Sequence, residues 1–355
     1  MDVIEIKSKL YDYSVEFTDD FAGNLKEFPS EKTVYLVDSN ILQLYRAKLA
    51  GIDGTHIYVM EADEHKKNMD TVMDFIAFMQ RLGVRKDWRV VCFGGGISQD
   101  IATTAGCLYL RNVDWCFFPT TLLSMCDSCI GGKSGINVGE YKNQIGVFYP
   151  PKKIFIDVQF IETLSEDDYL NGWGELLKFS LTEDPAFYES VKQEKTHIPC
   201  ANIREYIRRG LAVKQKVIEQ DEFESDLRRI LNYGHTFGHA LEAYTCNAVP
   251  HGKGVIWGID IANYLAVQEG LIDRELYLDV KHLIKKAFLK EEIKIREPEK
   301  IFAIIKTDKK VRDNSLSFAL LDGKSHLCVH PMMLDEKLLE HFKRYLGETH
   351  AYYLS

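Results

Sequence analysis

The chain has 355 residues, of which 46% are apolar and 27% charged, with 9 Pro, 24 Gly and a formal net charge of -9. At about 150 residues per domain this length predicts two domains, and the composition is that of a globular enzyme, not of a disordered or fibrous chain. The acidic balance argues against the basic footprint of a nucleic-acid binder, while leaving open a local basic pocket for a small anion.

The first residues, Met1 to Lys7, alternate polar and apolar types and carry acids, which is unlike the basic start and apolar core of a secretory signal. With no run of 18 apolar residues, no spanning helix and no membrane partner are expected. Eight Cys (92, 107, 116, 126, 129, 200, 246 and 328) are scattered irregularly, which predicts reduced thiols and a cytoplasmic location. Cys126 and Cys129 form a CxxC pair without a second pair or a nearby His, so they read as small residues opening a glycine-rich loop.

Up to about residue 160, short β-branched and aromatic runs alternate with amphipathic segments: Val34 to Val37, His56 to Met60, Arg89 to Phe93, Trp115 to Phe118 and Lys153 to Val158. Between the second and third, the apolar spacing over Asn68 to Leu82 is helical. Beyond Pro150-Pro151 the pattern changes to long helical periods: Glu166 to Leu181, Asn202 to Gln220, Arg228 to Tyr244, Gly254 to Gly270 and Arg274 to Phe288, with one strand signal at Ser317 to Leu321. The expectation is an α/β, Rossmann-like N-terminal domain with a mainly parallel sheet over 1–160, and a mostly α-helical C-terminal domain over 161–355.

Gly94-Gly95-Gly96 follows an apolar strand and precedes a helical segment, an arrangement that lets backbone N–H groups approach a phosphate. The run does not match GxGxxG, so a tight turn is an equal reading. Gly131-Gly132-Lys133 sets a cation beside flexible backbone, and Lys142-Asn143 follows. His235 and His239 stand four residues apart on one helix face, with His251 twelve residues further on. That spacing can present imidazoles to one metal ion or one ligand. Gly234 and Gly238 interrupt the same helix at about 1 kcal/mol each, which suggests a close backbone approach. Glu175 is the best carboxylate to complete a metal set, and with Lys178 it sits in an otherwise apolar stretch. Lys214 falls on the apolar stripe Ile203, Ile207, Leu211, Ile218, where a cation is costly unless an anion meets it or the side chain reaches the helix edge.

Taken together, Gly94-Gly95-Gly96-x-x-x-Asp100, Pro119-Thr120-Thr121-Leu122-Leu123, Asp127-Ser128-x-x-Gly131-Gly132-Lys133, Lys142-Asn143-x-x-Gly146-x-Phe148, Gly174-Glu175-x-x-Lys178, Leu231-Asn232-x-Gly234-His235-Thr236-x-Gly238-His239 and His251-Gly252 resemble the 3-dehydroquinate synthase family of sugar-phosphate cyclases. The resemblance runs in order from about residue 30 to 325. It implies a dehydroquinate synthase-like fold with zinc, or cobalt, on Glu175, His235 and His251. His239 then becomes a contact to the substrate phosphate. It implies an NAD site at Asp38, Glu64, Lys67, Gly94 to Gly96, Asp100, Thr120, Thr121 and Lys142. Substrate-handling groups fall on Asp127, Lys133, Asn143, Lys178, Lys214, Arg228, Asn232, His239 and the Asp308-Lys309-Lys310 segment. Arg111 resembles an arginine that reaches a neighbouring subunit's active site, which implies a homodimer.

The activity so implied turns 3-deoxy-D-arabino-heptulosonate 7-phosphate into 3-dehydroquinate and phosphate, a step of the shikimate pathway of aromatic amino-acid biosynthesis. Where the family usually has GD, GF, RG and HGE, this chain has Gln99-Asp100, Thr103-Thr104, Arg111-Asn112 and His251-Gly252-Lys253. Competing readings are a related cyclase acting on a sugar phosphate without a carboxylate, such as sedoheptulose 7-phosphate, a metal-dependent polyol dehydrogenase, and a non-catalytic paralogue that binds NAD and metal. Retention of Lys214, Arg228 and Lys309-Lys310 favours the carboxylate-bearing substrate, because removing a partner anion leaves buried cations uncompensated.

Overall fold

The computed structural model describes residues 2–139, 141–182, 185–194, 202–246, 248–287, 295–307, 311–323 and 326–353. Two compact units emerge, one of residues 1–169 and 203–211, the other of 170–202 and 212–355.

The strands are β1 (Asp2–Ile6), β2 (Tyr13–Thr18), β3 (Thr33–Asp38), β4 (Ile57–Met60), β5 (Arg89–Gly94), β6 (Trp115–Pro119), β7 (Ile136–Val138), β8 (Tyr141–Ile145), β9 (Lys153–Asp157), β10 (Ser315–Leu321) and β11 (Leu327–Met333). In the first unit seven of them form one sheet in the order β1-β2-β9-β6-β5-β3-β4. All its pairings are parallel except β1 with β2. The alternation seen at the start of the sequence belongs to β1, Asp2–Ile6, whose half-exposed pattern suits a sheet edge. β3, β5 and β6, buried almost throughout, read as continuous apolar runs because parallel sheets are covered on both faces. Phe93, Phe118 and Phe155 stack across β5, β6 and β9 with centroids 4.3 and 4.7 Å apart, so cross-strand aromatic pairing fixes the register there.

Chain order reverses between β3 and β5. β4 lies on one side of β3, and the next strand, β5, returns to the other. In open parallel sheets ligands bind outside the carboxyl ends of strands at such a switch point. Asp38 ends β3, Gly94 ends β5 and Pro119-Thr120 ends β6, so the structure gathers the residues of the glycine loop at the sheet edge best suited to a ligand.

The second unit is mostly helical, with a β10–β11 antiparallel hairpin in which only the first strand is foreseen by the sequence. Its centre is the helix His251–Gln268, buried from Gly254 to Ala266, which is apolar on all sides as a helix at the middle of a core must be. The helix expected over 228–244 is in fact broken: a 3-10 turn covers Leu227–Asn232, and the α-helix is His235–Tyr244. Between them Gly234 adopts φ +78, a left-handed conformation that other residues enter only at a cost. Gly234 thus starts a helix and does not interrupt one.

The close approach suggested by Gly234 and Gly238 is to neighbouring helices. An added Cβ on Gly258 would overlap the Gly234 carbonyl oxygen, and one on Gly238 would stand 2.9 Å from Gly254 backbone atoms. Likewise a Cβ on Gly252 would overlap the backbone of Asn171, whose side-chain oxygen accepts the Gly252 N–H at 2.9 Å. Backbone contact thus joins His251–Gln268 to both His235–Tyr244 and Glu166–Ser180. Replacing Gly258 with Ala is expected to cost about 1–3 kcal/mol, the usual range for overpacking, measured as a lowered urea midpoint with an unchanged slope. A wild-type midpoint would disprove the contact.

Candidate active site

Those three helices carry the residues singled out as metal ligands. Glu175 is wholly buried in Glu166–Ser180. Its Oε1 lies 3.3 Å from His235 Nε2 and 3.2 Å from His251 Nε2, and its Oε2 pairs with Lys178, itself 2% exposed. Burial alone would raise the Glu175 pKa, but Lys178, His235 and His251 together hold it well below the ordinary carboxylate range. Ligands about 2.0–2.1 Å from a tetrahedral zinc ion stand roughly 3.4 Å apart. The carboxylate oxygen stands at about that spacing from each imidazole nitrogen, and the histidine ligand atoms lie within 4.8 Å of one another, so the donor types fit a divalent ion of the zinc or cobalt type.

His239 follows one turn after His235, with ring centroids 5.2 Å apart. The three histidines offer ligand atoms all within 4.8 Å of one another. Proximity therefore does not separate a third metal ligand from a substrate contact.

Sequence reasoning overlooks Glu242. Its Oε1 lies 2.9 Å from His251 Nδ1, on the buried side of His235–Tyr244. A neutral imidazole carries one N–H, and a carboxylate at Nδ1 keeps that proton there and leaves Nε2 as the donor atom facing Glu175. The available signal was an acid seven residues after His235, two turns along the same helix face. His251 pays for its burial, but Glu175 and Glu242 more than compensate and its pKa is pushed up to about 10. His235 is oriented in a similar way, its Nδ1 standing 3.1 Å from the Tyr233 carbonyl. Tyr233 is itself buried and bonded through its hydroxyl to Asn263 at 2.5 Å.

The cations of this unit are buried too. Lys214 is 7% and Arg228 4% exposed. Arg228 is presented by a loop organised around Asp221, whose carboxylate accepts from the backbone N–H groups of Ser225, Asp226 and Arg228 at 2.8 to 2.9 Å. These bonds outweigh desolvation and lower the Asp221 pKa well below its usual value. Asn232 donates to Glu224 at 3.0 Å. Lys309 and Lys310 lie outside the described residues.

In the first unit, Gly94 ends β5, Gly95 is the N-cap of the helix Gly96–Leu108, and no side chain caps that terminus. Its free N–H groups and dipole suit an anion. Side chains on Gly94 and Gly95 would strike Ser98 and Thr121, whereas a Cβ on Gly96 would meet nothing nearer than Ser128 Oγ at 4.0 Å. That open space ahead of a helix N-terminus fits a dinucleotide pyrophosphate. Thr120 donates its backbone N–H to the Gly94 carbonyl at 2.9 Å, tying the threonine pair to the glycine loop. Asp38, whose pKa is raised by burial, caps the short helix after β3 through the Asn40 N–H at 2.8 Å.

Lys67 gathers the remaining cofactor candidates. Its Nζ is 3.3 Å from Glu64, 3.4 Å from Asp100 and 2.9 Å from Asn143 Oδ1. Desolvation pushes the Asp100 pKa up to about 6 even with Lys67 beside it. The substrate candidate Asn143 and the cofactor candidates Glu64, Lys67 and Asp100 thus form one polar cluster. Lys142, next to Asn143, is half-buried. Asp127 lies in a π-helical turn, Ser124–Ser128, a rare geometry frequent at functional sites. Cys126 and Cys129 are buried around that turn, and none of the seven cysteines among the described residues is in a disulfide. Lys133 is exposed, with its ammonium 6.0 Å from the Phe148 ring centroid. Arg111 is also exposed, in the middle of a left-handed run with φ of 49, 56 and 82 at Leu110, Arg111 and Asn112.

Comparison with known proteins agrees with these observations. The family described as 3-dehydroquinate synthase N-terminal matches residues 57–171, and that described as 3-dehydroquinate synthase C-terminal matches residues 172–311. A 3-dehydroquinate synthase of Thermoanaerobacter pseudethanolicus is 33% identical over 338 residues, 91% of this chain and 95% of the relative. Among solved structures, 2-epi-5-epi-valiolone synthase from Streptomyces hygroscopicus subsp. jinggangensis, with NAD+ and Zn2+ bound, superposes with a TM-score of 0.87 at 24% identity, covering 97% of this chain and 99% of that one. A 2-deoxy-scyllo-inosose synthase complexed with carbaglucose-6-phosphate, NAD+ and Co2+ gives 0.85 at 21% identity with the same coverage. The fold is therefore that of the sugar-phosphate cyclases, and by the match of both its parts the chain belongs to the 3-dehydroquinate synthase family.

Proposed function

We propose that the chain is a 3-dehydroquinate synthase, a carbon-oxygen lyase converting 3-deoxy-D-arabino-heptulosonate 7-phosphate into 3-dehydroquinate and phosphate. The observation that carries this reading is the buried Glu175 carboxylate meeting His235, His251 and Lys178 in a chain whose two parts both match the family. When bound, NAD supplies reversible hydride transfer at the substrate's C5, and a divalent metal polarises the oxygen there. The sequence of chemistry is oxidation at C5, loss of the acidified C6 proton with elimination of phosphate, reduction at C5, ring opening and intramolecular aldol closure.

In this reading Glu175, His235 and His251 hold the metal, with Glu242 setting the His251 proton on Nδ1. The helix N-terminus at Gly95-Gly96 takes the cofactor pyrophosphate. Asp38, Glu64, Lys67, Asp100, Thr120, Thr121 and Lys142 complete the cofactor set. Lys178 Nζ and the Asp127 carboxylate handle protons at the C4 and C5 hydroxyls. Lys133, Asn143, Lys214, Arg228 and Asn232, with Lys309 and Lys310, bind the polar and anionic groups of the substrate. His239 meets the substrate phosphate, which serves as base for its own elimination. Residues 1–160 form the NAD-binding domain and 161–355 the metal- and substrate-binding domain. The protein works as a cytoplasmic homodimer to which Arg111 contributes across the subunit boundary. Among the described residues no helix is long and apolar enough to cross a membrane.

Two buried cations, Lys214 and Arg228, concentrate positive charge in this unit, which suits a substrate that carries a carboxylate besides its phosphate. Incubated with NAD and zinc, the protein is expected to release phosphate from the heptulosonate phosphate without net NADH, and not from sedoheptulose 7-phosphate. Phosphate release from the latter alone would move the chain to another cyclase activity, and stoichiometric NADH would make it a dehydrogenase.

The metal assignment has its own test. His251→Ala is expected to lose zinc and activity together, whereas His239→Ala keeps zinc and raises KM. Loss of zinc in the His239 variant with retention in His235→Ala would reverse the assignment. Glu175 and Glu242, both hydrogen-bonded to the His251 ring, push its pKa up to about 10, so zinc binding at Nε2 is expected to displace a proton. Calorimetry at pH 7.5 in buffers of different ionisation enthalpy should therefore show about one proton released per zinc, and Glu242→Gln should release less.

A further inference from the structure

The turn that carries Asp127 is held at three places. Before it, the Thr121 and Ser124 hydroxyls are 2.9 Å apart. After it, the Gly131 N–H donates to the Tyr13 hydroxyl at 2.8 Å. Between these, Gln99 reaches across from the first turn of the helix Gly96–Leu108. Its Nε2 donates to the Ser128 carbonyl at 2.7 Å, and its Oε1 accepts from the Ser128 hydroxyl at 2.6 Å. A carbonyl oxygen can only accept, so the amide can sit in one orientation only. Gln99 is 3% exposed, so a buried amide has both its ends satisfied by a single residue.

The direction of the side chain matters as much as its bonds. The nearest atom to a Cβ placed on Gly96 is Ser128 Oγ at 4.0 Å, so Gln99 leaves the space ahead of the helix N-terminus open and turns toward Asp127's neighbour. Thr104 repeats the pattern one and a half turns later, donating to the Ser134 hydroxyl at 3.0 Å. The whole segment from the π turn to Ser134 is thus sewn to the helix whose N-terminus faces the glycine loop. Changing the π turn to α geometry would take one residue out of the ladder and rotate later side chains by roughly 100°, so whatever holds the turn also sets the direction of Asp127.

We propose that Gln99 is a positioning residue, which fixes the Asp127 carboxylate by clamping Ser128 to the first turn of the helix that receives the cofactor. This rests on the reading of Asp127 as a proton-handling group. The clamp makes the anion-binding helix terminus and the Asp127 turn one rigid piece, so that the carboxylate holds its place relative to the cofactor without contacting it.

The test is Gln99→Leu, which keeps the length and removes both hydrogen bonds, with Ser128→Ala removing the hydroxyl bond alone. In the full chain, hydrogen exchange over 124–131 is expected to lose protection in Gln99→Leu and to lose part of it in Ser128→Ala. NAD affinity stays near the wild-type value. With the heptulosonate phosphate, kcat falls by about 10- to 100-fold in Gln99→Leu, the scale of a misplaced catalytic group, with little change in KM. Wild-type protection and kcat in Gln99→Leu would overturn the proposal. So would a loss of NAD affinity matching the loss of kcat, which would make Gln99 a packing residue of the cofactor helix. If Gln99→Leu does not fold, Ser128→Ala decides by the same exchange readout. If the wild-type protein has no activity on this substrate, the proposed reaction fails, while the exchange measurement still settles whether the clamp exists.

Discussion

Backbone contact between three helices is the constraint on which the second unit depends. His251–Gln268 comes so close to His235–Tyr244 and to Glu166–Ser180 that an added Cβ at Gly258 or Gly252 has no room. Side chains interposed at these crossings would separate the helices to the usual 8–10 Å between axes. Imidazoles from two helices could then no longer meet a carboxylate from the third at 3.2 to 3.3 Å. The glycines therefore serve the chemistry indirectly, by closing the distance between helices that carry donor atoms. Gly234 adds a second function, since its left-handed φ starts the helix at His235 and so sets both histidines at the end where the ligands converge.

Closing that distance brings an electrostatic problem which the same residues solve. A wholly buried carboxylate is unfavourable by itself, and Glu175 meets it with Lys178 on one oxygen and two imidazoles on the other. A net charge of -9 describes the molecule's surface poorly as a guide to its interior, where Lys178, Lys214 and Arg228 are all buried. Lys178 is neutralised by Glu175, and the low screening inside the protein makes the placement of the buried Lys214 and Arg228 matter more than that of any surface charge.

The sheet and the helix at 69–81 were legible from period and composition, because a parallel sheet covered on both faces leaves uninterrupted apolar runs. Two of the sheet's seven strands, β1 and β2, were not, and neither were β7, β8 and β11: β1 alternates but lies at the sheet edge, β7 and β8 are short, and β11 carries a proline. The break at Gly234 was misread for a definite reason. Helical periodicity over 228–244 is real on both sides of it, and one glycine in a periodic run is equally compatible with a tolerated interior position or a start. Spacing found the His235-His239 pair and flagged Glu175 and Lys214, but Glu242 escaped because an acid on a helix is ordinarily solvated. Only its contact with His251 Nδ1 reveals that it faces inward.

Places where this chain differs from its family's usual pattern are accommodated locally and not by rebuilding the cofactor loop. Gln99, standing where glycine is usual, turns its added volume into hydrogen bonds to Ser128, and Thr104, standing where phenylalanine is usual, donates to Ser134, whereas the buried Thr103 hydroxyl, in another glycine position, meets no hydrogen-bond partner among the described residues. Asn112 stands at φ 82 where the family has glycine, and asparagine is among the few residues that enter this region at modest cost. Its N–H still closes onto the Cys107 carbonyl at 3.0 Å, and that of Val113 onto Gly106 at 2.8 Å, so the helix end keeps its bonds without a glycine. Around the helix Gly96–Leu108, local hydrogen bonds to Ser128, Ser134, Cys107 and Gly106 therefore take up these departures, and a Cβ on Gly96 would still meet nothing nearer than 4.0 Å.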